Sequence, residues 1–245
     1  MASKTINYLK FKKELDSIKE IWLDFISLFY PINCKACNNT LISGENWICT
    51  TCLLDIPKSD YWLDINNPVN QLFWGKTKIE FASAFLLFSK GSRYRKLIHS
   101  LKYLDDQESG IKLGSLYGKE IFKASEYKNF DFIIPVPLHP KKQRKRGYNQ
   151  SECIAKGLSE SLGIETLNKV LIRTVNTATQ TNKHKDERWN NVSGVFDIQN
   201  PEILQGKHVL LVDDVITTGA TIEHCAMTLI NNADCKVSIG CIARA

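Results

Sequence analysis

Val209-Leu-Leu-Val-Asp-Asp-Val-Ile-Thr-Thr-Gly-Ala-Thr221 is the stretch on which the reading of this chain turns. Four apolar residues, Val209 to Val212, predict a short, fully buried strand of the kind that a parallel sheet covers on both faces. Asp213 and Asp214 then fall at its carboxyl end, where open α/β sheets place their ligands. Val215 and Ile216 lead into Thr217, Thr218, Gly219, Ala220 and Thr221, a small, hydroxyl-rich turn ahead of the helical run Ile222 to Ile230. Backbone N–H groups and hydroxyls in such a turn converge on a phosphate at a helix N-terminus. Ionised carboxylates only accept hydrogen bonds, which suits the hydroxyls of a sugar beside that phosphate.

Two other readings compete. Adjacent acids after an apolar strand also hold the metal of a P-loop enzyme, with Gly75-Lys76-Thr77 as the partner. That motif needs a further glycine where Asn70 stands, and it should open a helix, whereas Lys78 to Phe88 reads as a strand. An ordinary strand-turn-helix with solvated acids is the other, and it leaves the coincidence of acids, hydroxyls and glycine unexplained.

Outward from this stretch, 245 residues with 43% hydrophobic and 24% charged content describe an ordinary globular chain. That length suits one large domain, or a medium domain with a small appendage. A net charge of +6 favours anionic ligands, phosphorylated metabolites and nucleic acid alike. The N-terminus lacks the progression of a signal peptide, and no apolar run approaches the ~20 residues of a transmembrane segment, so a soluble, cytoplasmic protein is expected.

Residues 5 to 30 predict an amphipathic helix, with Leu15, Ile18, Trp22, Phe25 and Phe29 at three- and four-residue steps and Pro31 ending it. Its stripe docks on the protein's own core or on the neighbouring knuckle, with a partner or a membrane surface as the alternatives. Cys34-Lys-Ala-Cys37 and Cys49-Thr-Thr-Cys52 come next, eleven residues apart. Two such turns can point four thiolates at one tetrahedral zinc, a closed and therefore structural site. Cys153, Cys225, Cys235 and Cys241 read as small buried hydrophobes.

The expected organisation is an N-terminal helix and zinc-binding module over 1–54, a connection over 55–78 rich in turn residues, and a main domain over 79–245. Strands are predicted at 79–88, 131–136, 166–172, 208–212 and 235–243, with helices at 92–104, 111–126, 148–162 and 221–231. Such alternation implies a mostly parallel sheet flanked by helices.

Two further segments belong beside the cradle. Leu138 and His139 come after the buried strand read at 131–136, and five cations, Lys141, Lys142, Arg144, Lys145 and Arg146, fall within six residues. A loop so charged at a strand's carboxyl end can neutralise a pyrophosphate, track a single-stranded nucleic acid or simply face solvent. Arg173 to Phe196 is long, polar and weakly periodic, and its place before the acid-bearing strand suits a lid that excludes water.

The thirteen residues closely resemble the phosphoribosyl pyrophosphate (PRPP) binding motif of type I phosphoribosyltransferases. With Leu97-Ile-His-Ser-Leu-Lys-Tyr103, Pro135-Val-Pro-Leu-His139, Arg146-Gly-Tyr-Asn-Gln150, Thr179-Gln180, Arg188 and the cysteines, nearly the whole chain resembles the competence-associated ComF family. Leu104-Asp105-Asp106 stands where that family commonly has arginine-glycine. The resemblance implies ribose hydroxyls on Asp213 and Asp214, the 5-phosphate on Val215 to Thr221, and pyrophosphate with magnesium at Leu138 to Lys142, in a polyanion loop whose charge reading takes in Leu138, His139, Lys141, Lys142, Arg144 and Arg146. It implies a lid carrying Gln180 and Arg188, and a hood over the acceptor drawn from the zinc module and residues 53–80. Function then lies between displacement of pyrophosphate from Mg-PRPP by an unknown acceptor, linked to DNA uptake in natural transformation, and non-catalytic handling of single-stranded DNA with PRPP as a regulatory ligand. Other competence proteins are the expected partners.

Overall fold

The computed structural model describes residues 31–87, 91–103, 106–123, 129–174 and 195–245. The predicted N-terminal helix over 5–30 and the lid residues Gln180 and Arg188 lie outside the described residues. The chain divides into two compact units, Met1–Asp55 and Ile56–Ala245.

In the larger unit, β1 (Phe81–Leu87), β2 (Phe132–Pro135), β3 (Glu165–Thr166), β6 (His208–Ile216) and β7 (Lys236–Arg244) form one sheet in the order β1-β7-β6-β2-β3. Every pairing in it is parallel. β4 (Leu171–Arg173) and β5 (Phe196–Ile198) form a separate antiparallel pair, so the strand predicted at 166–172 is two short strands in different sheets. Leu167 to Val170 between them turns the chain away from the sheet edge at the polar pair Asn168 and Lys169, which interrupts the apolar run.

Alternate residues of the central strands serve the two faces, as the pleat requires. Val209, Leu211, Val237 and Ile239 pack with Ile222, Cys225, Ala226 and Leu229 of the helix Ala220–Ala233. On the other parity, Gly240 leaves room for Tyr117, whose hydroxyl shares a 2.5 Å hydrogen bond with Ser83 Oγ. Tyr117 belongs to the helix Gln107–Lys123, which lies against the helix Gln150–Leu162 at very short range. A Cβ on Gly157 would sit 1.9 Å from the Ile111 carbonyl oxygen, so only glycine permits this approach.

The α-helices of the described residues, in chain order, are α1 (Thr50–Leu54), α2 (Arg95–Tyr103), α3 (Gln107–Lys123), α4 (Pro140–Arg146), α5 (Gln150–Leu162) and α6 (Ala220–Ala233). Asp106, part of the departure from the ComF pattern, caps α3: its Oδ1 accepts from the Ser109 N–H at 3.3 Å and its Oδ2 from Ser109 Oγ at 2.6 Å.

The segment read as a connection is built into the larger unit from Ile56 onward. Ser59 N–H donates to the Phe85 carbonyl at 2.9 Å, and Asn67 Nδ2 donates to the Ala82 carbonyl at 2.9 Å, so this segment satisfies the outer edge of β1. Trp62 is fully buried against Phe85 and Tyr117. Among the described residues no helix is long and apolar enough to cross a membrane.

Candidate functional site

β6 runs past Val212 to Ile216, so Asp213 and Asp214 stand inside the strand and not after it. The correction has a plain cause: β7 continues beside it, pairing Val215 with Ala243 and Ile216 with Arg244, and offers hydrogen-bond partners beyond the apolar run. Asp213 Oδ1 accepts from Ser151 Oγ at 2.9 Å and from the Asp214 N–H at 2.8 Å. Asp214 Oδ1 accepts from the Val215 N–H at 2.6 Å, and its Oδ2 lies 2.9 Å from Lys102 Nζ. Burial, then the neighbouring Asp214 carboxylate, pushes the Asp213 carboxyl up to about 7, against the opposing pull of the Asp214 N–H, Ser151 and Lys102.

After Ile216, Thr217 and Thr218 are exposed, and Gly219 adopts φ +80° as the residue before α6. That conformation is costly for any residue with a Cβ, and Phe73 would meet such an atom at 3.4 Å. Helix α6 starts at Ala220, one residue earlier than expected, so Ala220 and Thr221 are its exposed first turn and turn their N–H end toward the acids' end of β6. Phe73 packs behind this turn, and Thr77 Oγ1 reaches Glu223 Oε1 at 3.4 Å. A cavity of about 370 Å³ opens beside them, lined in part by Asn70, Phe73, Trp74, Thr77 and Glu80.

The basic segment is a short helix where a loop was expected. His139 Nδ1 accepts from the Lys141 N–H at 3.2 Å, Pro140 takes the first helical position and Gly147 at φ +82° ends it. Lysine and arginine are good helix formers, and with no apolar stripe the segment carries no periodic signal to announce it. Leu138, His139 and Arg146 are partly buried, while Lys141, Lys142 and Arg144 project into solvent.

The residues just beyond α4 join these parts. Tyr148 Oη donates to the Leu101 carbonyl at 2.5 Å, Asn149 Nδ2 donates to the Val136 carbonyl at 3.0 Å, and Arg146 Nη1 donates to Gln150 Oε1 at 2.7 Å. Asn149 also caps α5 through the Ser151 N–H at 3.1 Å. Reasoning from sequence gave no site role to Lys102, Ser151 or Phe73. Lys102 was visible only within a motif matched by resemblance and Tyr148 as an aromatic beside the basic run, while Ser151 and Phe73 carried no such signal.

In the smaller unit the Sγ atoms of Cys34, Cys37, Cys49 and Cys52 all lie within 4.8 Å of one another. Cys37 Sγ and Cys49 Sγ are 3.8 Å apart, equal to the edge of about 3.8 Å that a tetrahedron with metal–sulfur bonds of about 2.3 Å requires. The Cys49 N–H donates to Cys34 Sγ at 3.3 Å and the Cys52 N–H to Cys49 Sγ at 3.5 Å, the orienting bonds of a thiolate knuckle. Burial opposes ionisation of Cys34, yet the N–H groups of Cys37, Cys49 and Ala36 outweigh it and hold this thiol down at about 6. Burial and the neighbouring thiols push Cys52 up. The four cysteines therefore form a cluster able to hold one metal ion.

Residues 147–245 match the phosphoribosyl transferase domain family. A five-stranded parallel sheet with an acid-bearing central strand that turns into a helix defines the class: this is a type I phosphoribosyltransferase-like fold. The chain is 34% identical over 151 residues to the DNA utilization protein YhgH of Escherichia coli O157:H7, across 60% of this chain and 66% of that one. It is 35% identical over 114 residues to Competence protein F of Haemophilus influenzae, across 46% of this chain and 50% of that one. The matches thus span just under two thirds of the first relative's length and half of the second's. The solved glutamine PRPP amidotransferase of B. subtilis matches with 20% identity and a TM-score of 0.41, across 56% of this chain and 26% of that one. These relatives and the matching domain support a ComF-family, phosphoribosyltransferase-like protein.

Proposed function

We propose that the carboxyl end of β6 binds Mg-PRPP in a cytoplasmic protein that serves DNA uptake or utilisation together with other competence proteins. Asp213 and Asp214 accept from the ribose hydroxyls, and Val215, Ile216, Thr217, Thr218, Gly219, Ala220 and Thr221 receive the 5-phosphate. The single observation that carries this reading is the acid pair on β6 leading directly into a left-handed Gly219 and the open first turn of α6. Leu138, His139, Lys141, Lys142, Arg144 and Arg146 face the pyrophosphate, Gln180 and Arg188 belong to the lid, and residues 56–80 supply the hood.

Catalysis, on this reading, breaks the C1–O bond to pyrophosphate and forms a C1–N bond to an acceptor amine, which gives up a proton. Magnesium, held mainly by ligand oxygens and water, supplies charge neutralisation at the leaving group. The protein's share is orientation of the diol by the acids and fixed positive charge toward the leaving group. The four cysteines hold a structural zinc.

Calorimetry of the full chain with PRPP, with and without MgCl2, tests the binding claim, and pyrophosphate release with candidate amines tests transfer. Saturable, magnesium-dependent binding is the expected result; no heat under either condition would sink the reading.

A second reading is favoured by the cationic face of α4, whose Lys141, Lys142, Arg144 and Lys145 are all exposed. It is binding of single-stranded DNA with PRPP as a regulatory ligand. Replacing Lys141, Lys142 and Arg144 by glutamine is then expected to make the salt dependence of oligonucleotide binding less steep by about two units of slope. Arg146 is spared because it supports Gln150. Fluorescence anisotropy across a salt series reads the slope, and an unchanged slope excludes this face.

A further inference from the structure

Lys102 stands outside the cation run at 141–146, yet among the described ion pairs it is the one that reaches the acids of β6. It lies in the last turn of α2, and its neighbours are tied down on several sides. Tyr148 Oη holds the Leu101 carbonyl, Leu101 itself is fully buried, and Ser100 Oγ donates to Asp106 Oδ2 at 3.1 Å, where Asp106 also caps α3. The backbone that carries Lys102 is therefore fixed to the start of α5 and to α3, which is unusual support for a surface cation.

The Asp214 carboxylate is gripped at both oxygens, Oδ1 by the Val215 N–H and Oδ2 by Lys102. Each oxygen keeps a second lone-pair direction for a sugar hydroxyl. Two adjacent carboxylates with no cation beside them would meet a phosphate-bearing ligand with repulsion and would instead attract a bare divalent cation. Ser151 serves Asp213 with a neutral hydroxyl, so the cation nearest the pair is Lys102, which pairs with Asp214 directly and also favours ionisation of Asp213.

We infer that Lys102 is a positioning residue of the ribose site, which orients Asp214 and offsets its charge so that the acid pair receives an anionic sugar phosphate in preference to a free divalent cation. The inference rests on the PRPP reading of the site. Nothing in it requires Lys102 to touch the reacting atoms. Its link through Tyr148 also joins the acid pair to the segment that carries α4, so the charge at the ribose end and the basic helix are built on one scaffold.

The test uses the full chain with Lys102→Met, Lys102→Gln and Lys102→Arg, alone and on an Asp214→Asn background. Calorimetry reads Mg-PRPP affinity, and electron paramagnetic resonance reads binding of MnCl2 alone. Either neutral variant is expected to weaken Mg-PRPP about tenfold or more and to strengthen Mn²⁺ binding, as loss of a charge-assisted contact predicts. Lys102→Arg should stay within about threefold of wild type because the charge is kept. On the Asp214→Asn background the neutral variants should add little further loss. The inference is overturned if wild type binds Mg-PRPP and both neutral variants bind it equally well, if arginine fails to rescue, or if the losses at 102 and 214 add in full. Absence of binding by wild type overturns the reading of the site, and this inference with it.

Discussion

Replacing both acids, Asp213→Asn together with Asp214→Asn, is expected to weaken Mg-PRPP binding by at least about 100-fold, because two charge-assisted hydrogen bonds to the ligand are lost together. The substitution keeps the size of each side chain and the Ser151 and backbone bonds can still form, so the sheet should survive. Calorimetry with circular dichroism as the control reads both consequences. Unchanged affinity in a folded variant would remove the ribose from these residues.

Asp213 adds a dependence on pH whose sign is fixed. Its carboxyl is pushed up to about 7 in the folded chain from an ordinary value of 3.8, so the folded state holds the proton over a window where the unfolded state has lost it. Stability therefore falls as pH rises from about 4 to 7 and levels off above that. The single variant Asp213→Asn escapes this cost, and its thermal midpoint should exceed that of wild type at pH 8 by more than at pH 5. Ligand affinity should run the other way, rising through pH 7 as Asp213 ionises and becomes a pure acceptor. The acid that the fold disfavours is thus the one the ligand needs, as expected where a site is maintained against stability.

Much of this was legible from local chemistry alone. Val209 to Val212 could only be a buried strand, Gly219 could only be a turn before a helix, and the cysteine spacing leaves little besides a metal knuckle. The parts that escaped depend on contacts remote in sequence. Ser151 meets Asp213 across 62 residues, and no local pattern marks it. Lys102 reaches Asp214 from a helix more than a hundred residues earlier. Phe73 sits in a segment that reads as a linker because its prolines, asparagines and glycine announce turns, while its work, covering β1 and backing Gly219, is done by side chains that obey no period. The basic helix was missed for a different reason: amphipathic pattern reveals helices through burial, and α4 buries no residue.

Stripping metal from the cysteine cluster is expected to unfold residues 31–55, and the reason is the size of what remains without it. Among the described residues of this unit the buried apolar side chains are Cys34, Ala36, Trp47, Ile48 and Cys52, and two of these are themselves candidate ligands. A core of that size cannot offset the entropy of ordering some two dozen residues, which costs about 1–2 kcal/mol each for the backbone alone. A structural zinc on four thiolates would contribute its binding free energy directly to folding, which is the contribution so small a core lacks. Many of the other bonds among the described residues of this unit are short-range, such as the Cys34 N–H to the Asn39 carbonyl at 2.8 Å and the Thr50 N–H to Glu45 at 2.6 Å, and bonds of this kind contribute little on their own in water. The larger unit has its own core around β6, β7 and α6, so its slow hydrogen exchange should survive chelation. Exchange followed by mass spectrometry, before and after a chelator, separates the two units. Full loss of protection over 31–55 with retention in β6 and β7 is expected, and Cys52→Ser should reproduce it without chelator. Protection over 31–55 that is indifferent to both treatments would mean that the four thiols are packed by chance at metal-binding distance.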